Sequence, residues 1–308
     1  MATRVRCVAG WFHALDVAMS YLEPGVFVRH DPLAAPSPVV FDSPHSGSEY
    51  PADFTYACPL KLLRHAEDAH VDALFGAAPR YGATLVSALF PRSYIDPNRA
   101  LEDIDQQLLE QPWPGPILAS DRARVGMGLV RRVCKPGLAM YDRKLTVAEI
   151  QHRIAHYYQP YHHGVAKAID LAFARFGAVW HINCHSMPSS TAPRTPSHAW
   201  DRADFVLGDR DGTTCDAGFR LMVQSTLERM GYDVRVNDPY KGVELVRRFG
   251  APRQGRHSLQ IEINRRLYMN EDTLERNQGF ARLKQNIDTL VAAVTTYADG
   301  QLTAAAAD

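Results

Sequence analysis

The sequence predicts a three-layer α/β fold, in which a central mixed, mostly parallel β-sheet is flanked by helices. Three observations predict it. Short β-rich runs alternate with long stretches of helical periodicity, and that order places parallel strands between covering helices. The chain has 308 residues, 46% of them hydrophobic and 22% charged, which suits one large domain or two small ones with a sizeable core. No apolar run reaches the roughly 18 residues that span a bilayer.

Residues 1–22 come first. Arg4 and Arg6 precede an apolar stretch that His13 and Asp16 interrupt, so the segment reads as an amphipathic extension rather than a signal peptide. A single domain is expected over 23–299, followed by a frayed tail over 300–308. Val39-Val40-Phe41 is the first strand, ended by Asp42-Ser43-Pro44. Leu62 to Arg80 reads as a helix with Leu63, Val71, Leu74 and Phe75 on one side, and Ala83 to Ser87 as a second strand. Residues 147–176 give the clearest helix. Thr146 and Glu149 make a capping box, and Ile150, Ile154, Tyr157, Tyr161, Val165, Ile169 and Phe173 repeat at three- and four-residue steps. Pro160 is expected to kink it. Strands at 178–183, 233–236 and 259–263 and helices near 215–230 and 279–298 complete the order.

Composition excludes several functions. Lys plus Arg and Asp plus Glu are 34 each, so the formal net charge is zero, against bulk binding to nucleic acid. Five scattered cysteines without C-x-x-C argue against a disulfide framework and for a reducing compartment, hence the cytoplasm. The 13 histidines are the unusual feature.

Several polar clusters follow strands, where ligands bind in sheets of this kind. His45 stands in Asp42-Ser43-Pro44-His45-Ser46-Gly47, and Glu67, Asp68, His70 and Asp72 crowd the next helix. In His181-Ile182-Asn183-Cys184-His185 a period of two puts His181, Asn183 and His185 on one face and Cys184 on the other. Glu262 lies between Ile261 and Ile263, so it faces away from their side, a costly place in a sheet covered on both faces. Arg92 to Arg99 is polar, and a planar guanidinium there suits a carboxylate. Imidazoles and carboxylates without cysteine suit a catalytic zinc ion with an open position for water.

Taken in order, DSPHSG, ED-x-x-VD-x-LF, Y-x-DPNR, HINCHSMP, Lys241-Gly242 and LQIEINRRLYMNE resemble the N-formylglutamate amidohydrolases, over about residues 25–295. That family is similar in turn to zinc carboxypeptidase-type hydrolases. The resemblance implies one Zn²⁺ held by His45, Asp68 and His185, with Glu67 the fallback acid because Glu49 falls one position late for H-x-x-E. His181 and His70 become candidate partners of the ligating imidazoles. It implies Glu262 as base and Asn98-Arg99 as the grip on a substrate carboxylate, with a second cation among Arg92, Lys241, Arg247 and Arg248. The implied partner is a small N-acyl amino acid, most simply N-formyl-L-glutamate, cleaved in histidine degradation. Two other readings remain: a metal-independent hydrolase using Ser46 or Ser186, and a binding or regulatory protein on the same fold.

Overall fold

The computed structural model describes residues 20–189 and 203–305. Residues 1–19 of the expected extension lie outside them. Strands β1 (Ser20–Glu23) and β2 (Phe27–His30) form a hairpin, so Ser20–Leu22, within the expected extension, already belong to the sheet. Strand β3 (Val39–Ser43) follows.

The expected helix over 62–80 is instead broken into α1 (Leu60–Arg64), α2 (Val71–Phe75) and a 3₁₀ turn at Ala78–Tyr81. Tertiary partners take the backbone between them. Asp68 N donates to His45 O at 2.9 Å, and Arg265 takes the carbonyls of His65 and Glu67 at 2.9 and 2.7 Å. His70 sits at φ 68°, the left-handed region that ends a helix. Asp68 therefore lies in the loop before α2 and not in a first helical turn.

Then come β4 (Thr84–Ala88), α3 (Asp121–Arg124) and the two-stranded ribbon of β5 (Val133–Lys135) and β6 (Leu138–Ala139). Helix α4 (Val147–Arg153) begins at the expected Thr146–Glu149 capping box. A π-helical turn at Ile154–Tyr158 leads into α5 (Gln159–Phe176). This wider turn takes the place of a sharp kink. Pro160 has no N–H to give and its ring crowds the carbonyl four residues back. Strand β7 (Val179–Met187) runs past the expected end, so His185 is a strand residue.

The chain closes with β8 (Phe205–Gly208), α6 (Ala217–Arg229), β9 (Val234–Val236), α7 (Glu244–Phe249), β10 (Arg256–Asn264) and α8 (Phe280–Ala305). Helix α8 carries the fold into the region expected to fray.

The sheet order is β1-β2-β4-β3-β7-β10-β8-β9. β4, β3, β7 and β10 are mutually parallel; β2 and β8 join antiparallel on either side. One face carries Phe41, Ile182, Cys184, Ile261 and Ile263 against α2, α6 and α8. The other meets α5 and α7 through Val40, Val86, Val179, Tyr161, Val165 and Leu245. That second face also bears a polar stripe. In register, Ser258 lies beside His181, Gln260 beside Asn183 and Glu262 beside His185. Among the described residues no helix is long and apolar enough to cross a membrane.

His162 on α5 ties this layer to the loop after β4. Its Nε2–H donates to Pro97 O at 2.7 Å, its ring stacks on Tyr158, and its Nδ1 is buried without a partner. A second proton has nowhere to go, and burial pushes its pKa from 6.5 down to about 4. Below about pH 6.5 the unfolded chain binds a proton that the folded chain refuses, so stability falls as pH drops from there to about 4. The expected loss from this site is on the order of 3 kcal/mol. Denaturant midpoints at pH 7 and pH 4.5 should diverge more for the native chain than for His162→Gln. Equal losses in the two would remove His162 as a source of acid sensitivity.

Candidate active site

The ends of β3, β4, β7 and β10 lie side by side, and each delivers polar groups to one place. The turn after β3 brings in His45. It runs against the loop after β4: Glu49 N donates to Leu89 O at 2.8 Å, and a Cβ on Gly47 would come 2.3 Å from Phe90 O, so only glycine fits. His45, Asp68 and His185 offer three ligand atoms within 4.8 Å of one another, all buried. The two ring centroids are 4.6 Å apart.

The partners of the rings set their tautomers. His45 Nε2 is 2.7 Å from Asp96 Oδ1, and His185 Nε2 is 2.7 Å from Asn183 Oδ1. Each Nε2 therefore carries a proton, and Asn98 Nδ2, 3.0 Å from His185 Nε2, is left Asn183 Oδ1 at 3.4 Å as its acceptor. Each Nδ1 then turns a lone pair toward Asp68 Oδ2, at 3.4 Å from His45 and 3.1 Å from His185. His45 Nδ1 has no hydrogen-bond partner among the described residues. Three lone-pair atoms facing one another repel unless a proton or a metal cation stands among them, so the donor set fits a metal ion.

The supports of these three residues run outward. Arg265 Nη2 donates to Asp68 Oδ1 at 3.0 Å, and its Nε donates to Ser186 Oγ at 3.1 Å. One Asp68 oxygen is thereby held by protein and the other faces the rings. Burial alone would raise the Asp68 pKa, but hydrogen bonds from His185 and His45, when a proton stands on their Nδ1 atoms, and the charge of Arg92 hold it well below the usual carboxylate range. Asp96 accepts from Arg92 Nη2 at 2.7 Å and from Asn98 N at 3.0 Å, and it too is held low against its burial. Asn183 Nδ2 donates to Asp42 Oδ1 at 2.8 Å, where His181 Nε2 also arrives at 2.8 Å, and Tyr161 OH donates to Asp42 Oδ2 at 2.8 Å. His181 Nδ1 meets Ser258 Oγ at 2.7 Å, and His70 Nε2 donates to Leu274 O at 2.9 Å. Neither is a direct partner of the paired imidazoles; those places belong to Asp96 and Asn183.

Glu262 stands beside His185 in register, with Ile261 and Ile263 in the opposite core as expected. Its Oε1 accepts from Gln260 Nε2 at 2.9 Å. Burial, with Asp68 nearby and against the pull of His185, pushes its pKa up to about 7. A carboxylate so poised exchanges protons readily near neutral pH.

Glu67 turns away from the rings, toward Tyr50 OH at 2.7 Å and Arg64. Asn98 is committed to the protein, since its Oδ1 accepts from Leu245 N at 2.9 Å while its Nδ2 faces Asn183 and His185. Arg92 is bound to Asp96, 3.9 Å from Asp68. Lys241 and Arg247 do not join the cluster. They pair with Asp211 at 2.9 Å and Glu244 at 2.6 Å, with side chains 58% and 56% exposed, and Arg248 is exposed as well. Arg99 remains: its Nε is buried with no partner among the described residues. Ser186 Oγ is taken by Arg265 and Ser46 Oγ by Ser43.

Sequence reasoning missed Asp96 and Arg265. Asp96 follows the apolar pair Tyr94-Ile95 and precedes Pro97, a sign of a buried acid that the proline's effect on the backbone masked. Arg265 leaves no signal, because only the tertiary fold brings it to Asp68.

The chain is similar to known proteins over most of its length. The sequence profile of N-formylglutamate amidohydrolase matches residues 37–269. The crystal structure of N-formylglutamate amidohydrolase from Ralstonia eutropha JMP134 is 48% identical, with a TM-score of 0.85, over 90% of this chain and 99% of that one. N-formylglutamate deformylase from Pseudomonas aeruginosa is 27% identical over 76% of this chain and 83% of its own length. A gene product of Agrobacterium tumefaciens, 19% identical, shares the fold with a TM-score of 0.60 over 85% of this chain and 92% of that one.

Proposed function

The chain belongs to the N-formylglutamate amidohydrolase family, and from that premise we propose that it hydrolyses N-formyl-L-glutamate to L-glutamate and formate with one zinc ion. The observation that carries the metal is the convergence of two imidazole Nδ1 atoms and Asp68 Oδ2, with both Nε2 atoms held by oxygen acceptors. His45, Asp68 and His185 would hold the ion. When bound, zinc would polarise the formyl oxygen and lower the pKa of a water toward about 7.

The rest is the work of the chain's own residues. Glu262 takes the proton of the attacking water and delivers it to the nitrogen as the C–N bond breaks. Arg99 holds a substrate carboxylate and so fixes the scissile bond against Glu262. The buried Asp42–Asn183–His185 relay fixes one ring and the Arg92–Asp96 pair the other. The four described cysteines are free, which suits a cytoplasmic enzyme.

The test is formate release from N-formyl-L-glutamate before and after chelation. Turnover is expected to vanish on metal removal and to return with about one zinc per chain. Full turnover without metal would sink the metal reading. Release from another N-acyl compound, with none from N-formyl-L-glutamate, would sink the substrate.

A further inference from the structure

We propose that Arg131 is the second-carboxylate residue of this site, forming with Arg99 a receptor for the two carboxylates of a five-carbon dicarboxylic substrate. The proposal rests on the functional reading above and names a residue outside the family motifs. The segment that carries Arg131 is laid directly on the turn that carries Arg99. Asp96 N donates to Leu129 O at 2.8 Å, Leu129 N donates to Asp103 O at 2.8 Å, and Met127 bridges to Arg131. The next residue, Arg132, is turned to Asp105 at 2.6 Å. The Arg131 side chain makes no hydrogen bond or ion pair among the described residues, and its Nε is buried without a partner.

Charge counting points the same way. The charges that act on Arg131 most are Arg92, Asp96, Arg99 and Asp68. Of those, Arg92 is bound to Asp96, and Asp68 is bound to Arg265. Arg99 and Arg131 are left, two guanidiniums with no ion-pair partner among the described residues and each with its Nε buried. Burial, with Arg92 and Arg99 adding to it, pushes the pKa of Arg131 down to about 9. A guanidinium still keeps its proton at neutral pH, so the unfavourable interaction is relieved only by an arriving anion. N-formylglutamate brings two carboxylates, one for each.

The experiment compares N-formyl-L-glutamate with N-formyl-L-glutamine, which lacks only the side-chain charge, in the native enzyme, Arg131→Met and Arg131→Lys. Arg131→Met is expected to lower kcat/KM for N-formyl-L-glutamate by about 10²-fold or more and to change that for N-formyl-L-glutamine by no more than about threefold. Arg131→Lys should recover part of the loss, since it keeps the charge but not the fork. The thermal midpoint of Arg131→Met should equal or exceed that of the native chain, because a buried unpaired charge has gone. A structural arginine would lower it.

Binding gives a readout free of turnover: glutarate should raise the midpoint of the native protein and leave Arg131→Met unmoved, while butyrate should act on neither. Equal losses for both substrates, or equal stabilisation by glutarate in both proteins, would overturn the proposal. Glutarate binding that depends on Arg131, in a protein that does not deformylate N-formyl-L-glutamate, would keep the receptor and discard the substrate.

Discussion

Glu262→Gln is expected to lower kcat by about 10²–10⁴ while KM and bound metal stay close to native. The reason lies in its position. Backbone hydrogen bonds of the parallel β7–β10 pair set Glu262 beside His185, so its distance from the ring depends on strand register and not on a loop. Gln260 holds Oε1 at 2.9 Å, leaving Oε2 without a protein hydrogen bond among the described residues. Glutamine keeps the volume and the Gln260 contact but cannot take a proton from water. Single-turnover kinetics with metal analysis check this. Turnover within a few-fold of native would remove Glu262 from the reaction, and loss of the metal would make it a ligand.

Asp68→Asn should cost more in metal affinity than the roughly 10–100-fold typical of an outer partner, and turnover should fall with it. The neutral amide withdraws the anionic donor that faces both Nδ1 atoms. It also strips Arg265 of its only carboxylate among the described residues, in a place where that residue is 5% exposed. Breaking a buried pair from one side costs about 3–5 kcal/mol when the remaining charge is uncompensated, so a stability loss of that order accompanies the loss of metal. Equilibrium dialysis and denaturant melts on the same sample separate the two effects. Native affinity for zinc in the variant would rule out Asp68 as a ligand.

What a sequence can reveal here depends on how far apart the interacting residues are. His181, Asn183, His185 and Glu262 declare themselves because a period of two is local and a polar face in an apolar strand is abnormal. The long helix declares itself through its capping box, but its π-helical turn needs the crowding at Pro160 to be resolved in three dimensions. The break between Arg64 and Val71 is illegible, since its causes are Arg265 and His45, about 200 and 20 residues away. Arg131 is illegible for the same reason: a lone arginine beside another arginine says nothing until Leu129 is seen pairing with Asp96.

The two faces of the sheet tolerate sequence drift differently. Where Phe41, Ile182 and Ile261 meet α2, α6 and α8, contacts are non-directional, and an exchange of similar volume costs less than about 1.5 kcal/mol. On the face toward α5, Asp42, His181, Asn183, Tyr161 and Ser258 each depend on a neighbour's donor or acceptor. Changing any one of them strands its partners in the interior at about 1–3 kcal/mol each. Lineages of this fold are therefore free to wander residue by residue on the first face, while on the second they must change as a block or hold still.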